Sequence, residues 1–117
     1  MAKYARTGGE ANAIAVRIAR AASGRDKVAI CGYHGWHDWY LAANLHKEDN
    51  LKDHLLEGLG SKGVPKALSD SIVPMRFNNF EDLELLSKNE NIAAFKMEVT
   101  RSVPPKKNYL EKKLNYL

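Results

Sequence analysis

Two short stretches carry the residue types that could do chemistry, Thr7-Gly8-Gly9-Glu10-Ala11 and Cys31-Gly32-Tyr33-His34-Gly35-Trp36-His37-Asp38. In the first, two glycines separate a short extended start, Tyr4-Ala5-Arg6, from a long helical run, Ala11 to Ala22. A joint of this kind leaves backbone N–H groups at a helix N-terminus, where the dipole favours an anion. Glycine lets that backbone approach a phosphate closely, because no Cβ intervenes. Taken alone, the joint has a plainer reading, a turn before a helix. The second stretch follows one helix and one strand later, and its aromatics and histidines shift the weight toward a ligand site.

Other chemistries are open to the same residues. His34 and His37 form an i, i+3 pair, and with Cys31 and Asp38 they are compatible with metal coordination. No second cluster stands at standard spacing, so no metal is expected. Cys31 ends an apolar strand, where a cysteine is buried filler more often than a nucleophile. Trp36 and Trp39 read as packing or subunit-interface residues.

These stretches must be positioned by a small fold. The chain has 117 residues, enough for one domain with a modest core. It is 44% hydrophobic and 27% charged, which argues against disorder. A net charge of +4 suits an anionic ligand. The basic residues are scattered, apart from Lys106, Lys107, Lys112 and Lys113, which read as a solvated helix face. No basic stripe interleaves with aromatics, so a nucleic-acid partner is not expected. Cys31 is the single cysteine, which excludes an internal disulfide and suits a reducing compartment. No apolar run approaches a membrane span, and Gly-Gly-Glu comes too early for a signal peptide. The expectation is a cytoplasmic protein without membrane contact.

Residues 10–23 place apolar side chains at 11, 14, 15, 18 and 22, the helical spacing, and their many alanines predict a mostly buried helix. Gly24 is placed to cap it. Lys27–Cys31 reads as a strand covered on both faces. Residues 32–70 lack sustained periodicity and read as a long active-site or interface loop, with helical turns at Asp38–Leu45 and Leu51–Leu56 and a compliant Gly58–Pro65 segment. Ser71–Arg76 is a strand in which Pro74 points to an edge. Asn79 caps a helix to about Ser87. Ile92–Met97 is a third strand, and Asn108–Glu111 reads as a capping box that opens a last helix.

Placed on these elements, Thr7-Gly8-Gly9-Glu10-Ala11, Gly24-Arg25-Asp26-Lys27, Tyr33-His34-Gly35 and Met97-Glu98 resemble, in order and spacing, the class III aminotransferases. These are pyridoxal-phosphate enzymes of fold type I, and the resemblance is nearest to the glutamate-1-semialdehyde aminomutase branch. It implies a three-layer α/β fold, a mainly parallel sheet with flanking helices. Residues 1–117 would be part of the large cofactor-binding domain, with strand 27–31 between the other two and a first strand near Ala2–Arg6. The resemblance assigns the phosphate to Gly8, Gly9 and the amide of Glu10. Gly9 departs from the family's hydroxyl residue, so one side-chain contact is expected to be absent. Tyr33 would be the ring platform, His34 and Gly35 would shape its turn, and Glu98 would match a family glutamate, with Val99 replacing the following proline.

The resemblance also implies what the chain lacks. No lysine stands at the Schiff-base position, and no carboxylate at that of the pyridinium partner. The chain alone is therefore expected to hold pyridoxal 5'-phosphate weakly and to catalyse nothing. The parent enzyme would be a homodimer acting on small-molecule amino donors and acceptors. The competing expectation is a non-enzymatic α/β module that binds an anion or a nucleotide.

Overall fold

The computed structural model describes residues 1–45, 60–99 and 102–115. Helices and strands alternate along them: α1 (Gly8–Ser23), β1 (Lys27–Cys31), α2 (Asp38–Leu41), β2 (Ile72–Pro74), α3 (Phe80–Ser87), β3 (Ile92–Met97) and α4 (Tyr109–Asn115). A 3-10 turn at Ala42–Asn44 extends α2, and another spans Lys66–Leu68. The expected turn at Leu51–Leu56 lies outside the described residues.

α1 starts at its cap. The Thr7 hydroxyl accepts from the Glu10 amide at 3.1 Å, and the Glu10 carboxylate accepts from the Arg6 amide at 2.8 Å. These reciprocal bonds satisfy donors that the helix cannot, and they draw two poor helix formers, Gly8 and Gly9, into its first turn. Gly24 closes the helix with φ 68°. At α3, Asn79 accepts from the Asp82 amide at 2.9 Å, as its position predicts.

β1 pairs in parallel with both other strands, in the order β2-β1-β3. The strand order is the one implied by the family resemblance. Pro74, which has no N–H to donate, sits on an edge strand, and the next amide, Met75, resumes the pairing at Ile30 O, 2.8 Å away. Side chains alternate across β1. Val28 and Ile30 enter a core with Val16 of α1, Tyr40 of α2 and Ile72, while Ala29 and Cys31 enter a second core with Leu83, Leu86 and Tyr109. Helices therefore cover both faces, which gives three layers.

Three expectations are corrected. α1 is not mostly buried: Val16 is its one buried residue, and Ile14 and Ile18 are 50% and 61% exposed. Its Ala13–Val16 side meets the narrow sheet, and the stripe 11, 14, 15, 18, 22 faces away. An alanine-rich helix is apolar nearly all round, so periodicity did not distinguish its two sides. The expected first strand near Ala2–Arg6 does not form, and the described sheet has three strands only. Asn108 has φ 65°, left-handed rather than the extended backbone of a capping residue, although the helix does begin beside it.

The packing separates core from surface sharply. Replacing the fully buried Leu83 with Ala should cost about 2–5 kcal/mol, read as a lowered urea midpoint at unchanged slope. Ile18→Ser should change stability by less than about 0.5 kcal/mol. Equal losses would show that the outer face of α1 is packed.

Candidate functional site

The site is built where β1 ends. Gly32 and Gly35 take φ 105° and 108°, a region other residues rarely adopt, and they fold the chain back over the carboxyl end of the sheet. A Cβ at Gly32 would also stand 3.0 Å from Glu98 Oε2, so the glutamate that follows β3 packs directly beneath this turn. Between the glycines, Tyr33 is 36% exposed and His34 only 3%. Tyr33 meets Tyr40 edge-on at 5.9 Å, and the Tyr40 hydroxyl donates to Gly32 O at 3.1 Å.

The turn presses on the start of α1. Asn12 Nδ2 donates to His34 O at 3.0 Å, and a Cβ on Gly35 would lie 3.5 Å from the Cα of Gly9. Between turn and helix lies a cavity of about 580 Å³, lined on one side by Thr7–Glu10 and Asn12 and on the other by Tyr33–His37. Gly8, Gly9, Glu10, Tyr33 and His34, all singled out from sequence, thus share one cavity. Glu98 does not line it. Trp36 is exposed at its rim, whereas Trp39 is buried in the core.

His34 is held at both ring nitrogens. Nε2 lies 3.1 Å from Cys31 O and Nδ1 lies 3.2 Å from Lys96 Nζ. A carbonyl can only accept and an ammonium can only donate, so Nε2 carries the proton and Nδ1 accepts. Burial, then the charge of Lys96, pushes the His34 pKa from 6.5 down to about 4. Burial likewise lowers the Lys96 pKa, with Glu98 opposing. His34 is therefore a neutral strut rather than an acid, a base or a free metal ligand. Among the described residues no three His, Cys, Asp or Glu side chains are grouped to hold a metal.

The cradle is smaller than the sequence suggested. Gly8 and Gly9 precede the first intrahelical bond, Ala11 N to Thr7 O, so the helix leaves their amides unpartnered. The Glu10 amide is already taken by the Thr7 hydroxyl. Three residues of the cavity received no cofactor-binding role from the sequence: Thr7, whose Thr-x-x-Glu spacing marks a capping box; His37, weighed there only as one of a histidine pair; and Asn12, which carried no signal.

A glycine-led helix start faces an aromatic turn above the carboxyl ends of parallel strands, the place where α/β sheets put ligands. The fold is similar to that of a transaminase solved with pyridoxal phosphate bound, with a TM-score of 0.72 at 25% identity over 96% of this chain and 27% of that one. In sequence the chain is 32% identical to a glutamate-1-semialdehyde 2,1-aminomutase of Sulfolobus acidocaldarius, over 94% of this chain and 26% of that protein. It is 33% identical to the Methanobrevibacter smithii aminomutase of the same name, over 95% and 26%. A 3-aminobutyryl-CoA aminotransferase of Cloacimonas acidaminovorans is 31% identical over 74% of this chain and 17% of its own length. No family model matches. Over nearly its whole length the chain is thus similar to aminotransferases and aminomutases, and it spans about a quarter of the aminomutases it matches.

His34 gives a pH test. Its folded pKa lies below its unfolded one, so the folded state resists the proton that the unfolded chain takes up. Its contribution to stability should be complete above pH 6.5 and be lost as the pH falls through the window down to about 4. An NMR titration of the ring protons should show a midpoint near 4 that rises in Lys96→Met yet stays below 6.5, because burial remains. An ordinary midpoint in the unaltered chain would refute the strut.

Proposed function

We propose that this chain is part of the cofactor-binding domain of a class III pyridoxal-phosphate enzyme, an aminotransferase or aminomutase of the glutamate-1-semialdehyde aminomutase kind. The reading rests on one observation above all: the Gly8–Gly9 helix start and the Tyr33 ring line a single cavity. The residues fit such a ligand. Gly9 and Gly35 keep open a space that side chains would fill, and the volume falls in the range of small-molecule sites, about 300–1,000 Å³.

When bound, the cofactor supplies the reactive carbonyl and the electron-accepting ring of amino transfer. The amides of Gly8 and Gly9 donate to its phosphate at the positive end of α1. The Thr7 hydroxyl accepts from Glu10 N, which leaves its own proton to donate outward. Tyr33, braced edge-on by Tyr40, offers a π-face that packs a flat ring without consuming its polar groups. The Glu10 carboxylate would repel an anion, but it is turned back onto the Arg6 amide. Asn12 and His34 hold the Tyr33 turn in place, and Trp36 shields its rim.

Among the described residues no lysine lines the cavity. The 117-residue chain therefore binds weakly and transfers nothing by itself. The whole enzyme is a cytoplasmic homodimer that handles small-molecule amino donors and acceptors.

Isotope-labelled chain titrated with pyridoxal 5'-phosphate should show shifts at the Gly8 and Gly9 amides and in the Tyr33 ring. Tyr33→Ala should weaken that binding about fivefold to tenfold while leaving inorganic phosphate unaffected. Borohydride should trap the cofactor on no single lysine. Equal affinity for the cofactor and for phosphate would favour a plain anion-binding module. Stoichiometric trapping on one lysine, with amino transfer, would show that the chain is complete in itself.

A further inference from the structure

We propose that His37 is the side-chain anion ligand of this cradle, occupying the volume that a side chain at position 9 would otherwise fill. The inference rests on the reading of the cavity as a phosphate site and adds to it a residue that the family resemblance does not assign.

The argument starts from Gly9. Glycine is a poor helix former, and Gly9 sits in helical backbone that any residue could adopt. Backbone geometry therefore does not require it. Space favours it: a Cβ built on Gly9 would lie 3.0 Å from His37 Nε2 and 3.1 Å from its Cδ2, so the ring would have to give by a few tenths of an ångström. Gly8, one residue earlier, has nothing within 4 Å of the same position, so the demand is specific to Gly9.

His37 is also not committed to its own helix. It stands at the N-cap of α2, where its ring makes no capping bond, and its backbone carbonyl accepts from the Tyr40 and Leu41 amides. The ring is half-buried and lines the cavity. Its Nε2 approaches the same first turn whose Gly8 and Gly9 amides the helix leaves unpartnered. A neutral imidazole can offer an N–H from that position, and an imidazolium offers an N–H with a positive charge. Both suit the dianion of a phosphate monoester. Gly9 removes a side chain from the cradle, and His37 returns a donor from the opposite wall.

The test uses the whole 117-residue chain and three probes: inorganic phosphate, pyridoxal 5'-phosphate and pyridoxal, which carries no phosphate. Ring-nitrogen and amide shifts are followed by NMR. In the unaltered chain both phosphate-bearing probes should move the His37 Nε2 signal together with the Gly8 and Gly9 amides. His37→Ala should weaken both about tenfold and leave pyridoxal unchanged, whereas His37→Gln, which keeps a donor, should lose about threefold. The double variant Gly9→Thr/His37→Ala puts a hydroxyl into the vacated volume and should recover binding to within about threefold of the unaltered chain. Undiminished phosphate binding by His37→Ala, with the glycine amides still responding, would overturn the role of His37 and leave the phosphate site standing. An equal loss of pyridoxal binding would reduce His37 to packing. Silence of the Gly8 and Gly9 amides toward both phosphate probes would overturn the site and the inference together.

Discussion

The carbonyl of Cys31 is where the sheet becomes a site. It ends a strand whose last four residues are buried, so its lone pairs need protein partners. One comes from the neighbouring strand, as the Glu98 amide approaches at 3.3 Å. The other is the His34 ring, which folds back to donate at 3.1 Å. That second bond fixes the His34 tautomer, aims Nδ1 at Lys96, and closes the tight turn that presents Tyr33. Asn12 then ties the far side of the turn to α1. Everything that lines the cavity hangs from these few bonds, and none of them needs a charged group to be buried alone.

The same economy shows in how the parts share space. Glu98 fills the room that the absent side chain of Gly32 leaves, under the turn rather than inside the cavity. Tyr40, fully buried, supports the Tyr33 ring with its edge and the Gly32 carbonyl with its hydroxyl. The exposed Tyr33 ring is thereby braced by a core residue. Rigidity of the site is therefore borrowed from the larger of the two cores, through Tyr40 and Val16.

The sequence disclosed what depends on neighbours along the chain. The strands at 27–31 and 92–97, the caps at Asn79 and Gly24, and the edge position marked by Pro74 follow from local periodicity and turn chemistry. The meeting of Gly8–Gly9 with Tyr33 rested on resemblance to a family, because 24 residues separate Gly9 from Tyr33 and no local rule joins them. What stayed hidden depends on three-dimensional neighbours. The burial of α1 was misjudged because a nearly uniform alanine surface carries no phase. Glu98 follows the strand end that the sequence shows, but its carboxylate lies beneath Gly32, a neighbour that the sequence does not reveal. The i, i+3 spacing of His34 and His37 invites a shared role, whereas His34 is tied to Cys31 O and Lys96 Nζ and His37 lies against the Gly9 turn.

The contact between Gly9 and His37 binds the two positions unequally. With His37 in its present place, a Cβ at position 9 would lie 3.0 Å from Nε2, so a larger residue at 9 must push the ring aside by a few tenths of an ångström, whereas a glycine at 9 demands nothing of residue 37. The constraint therefore runs one way: position 37 is free to vary over a glycine, but position 9 is free to vary only as far as the ring gives.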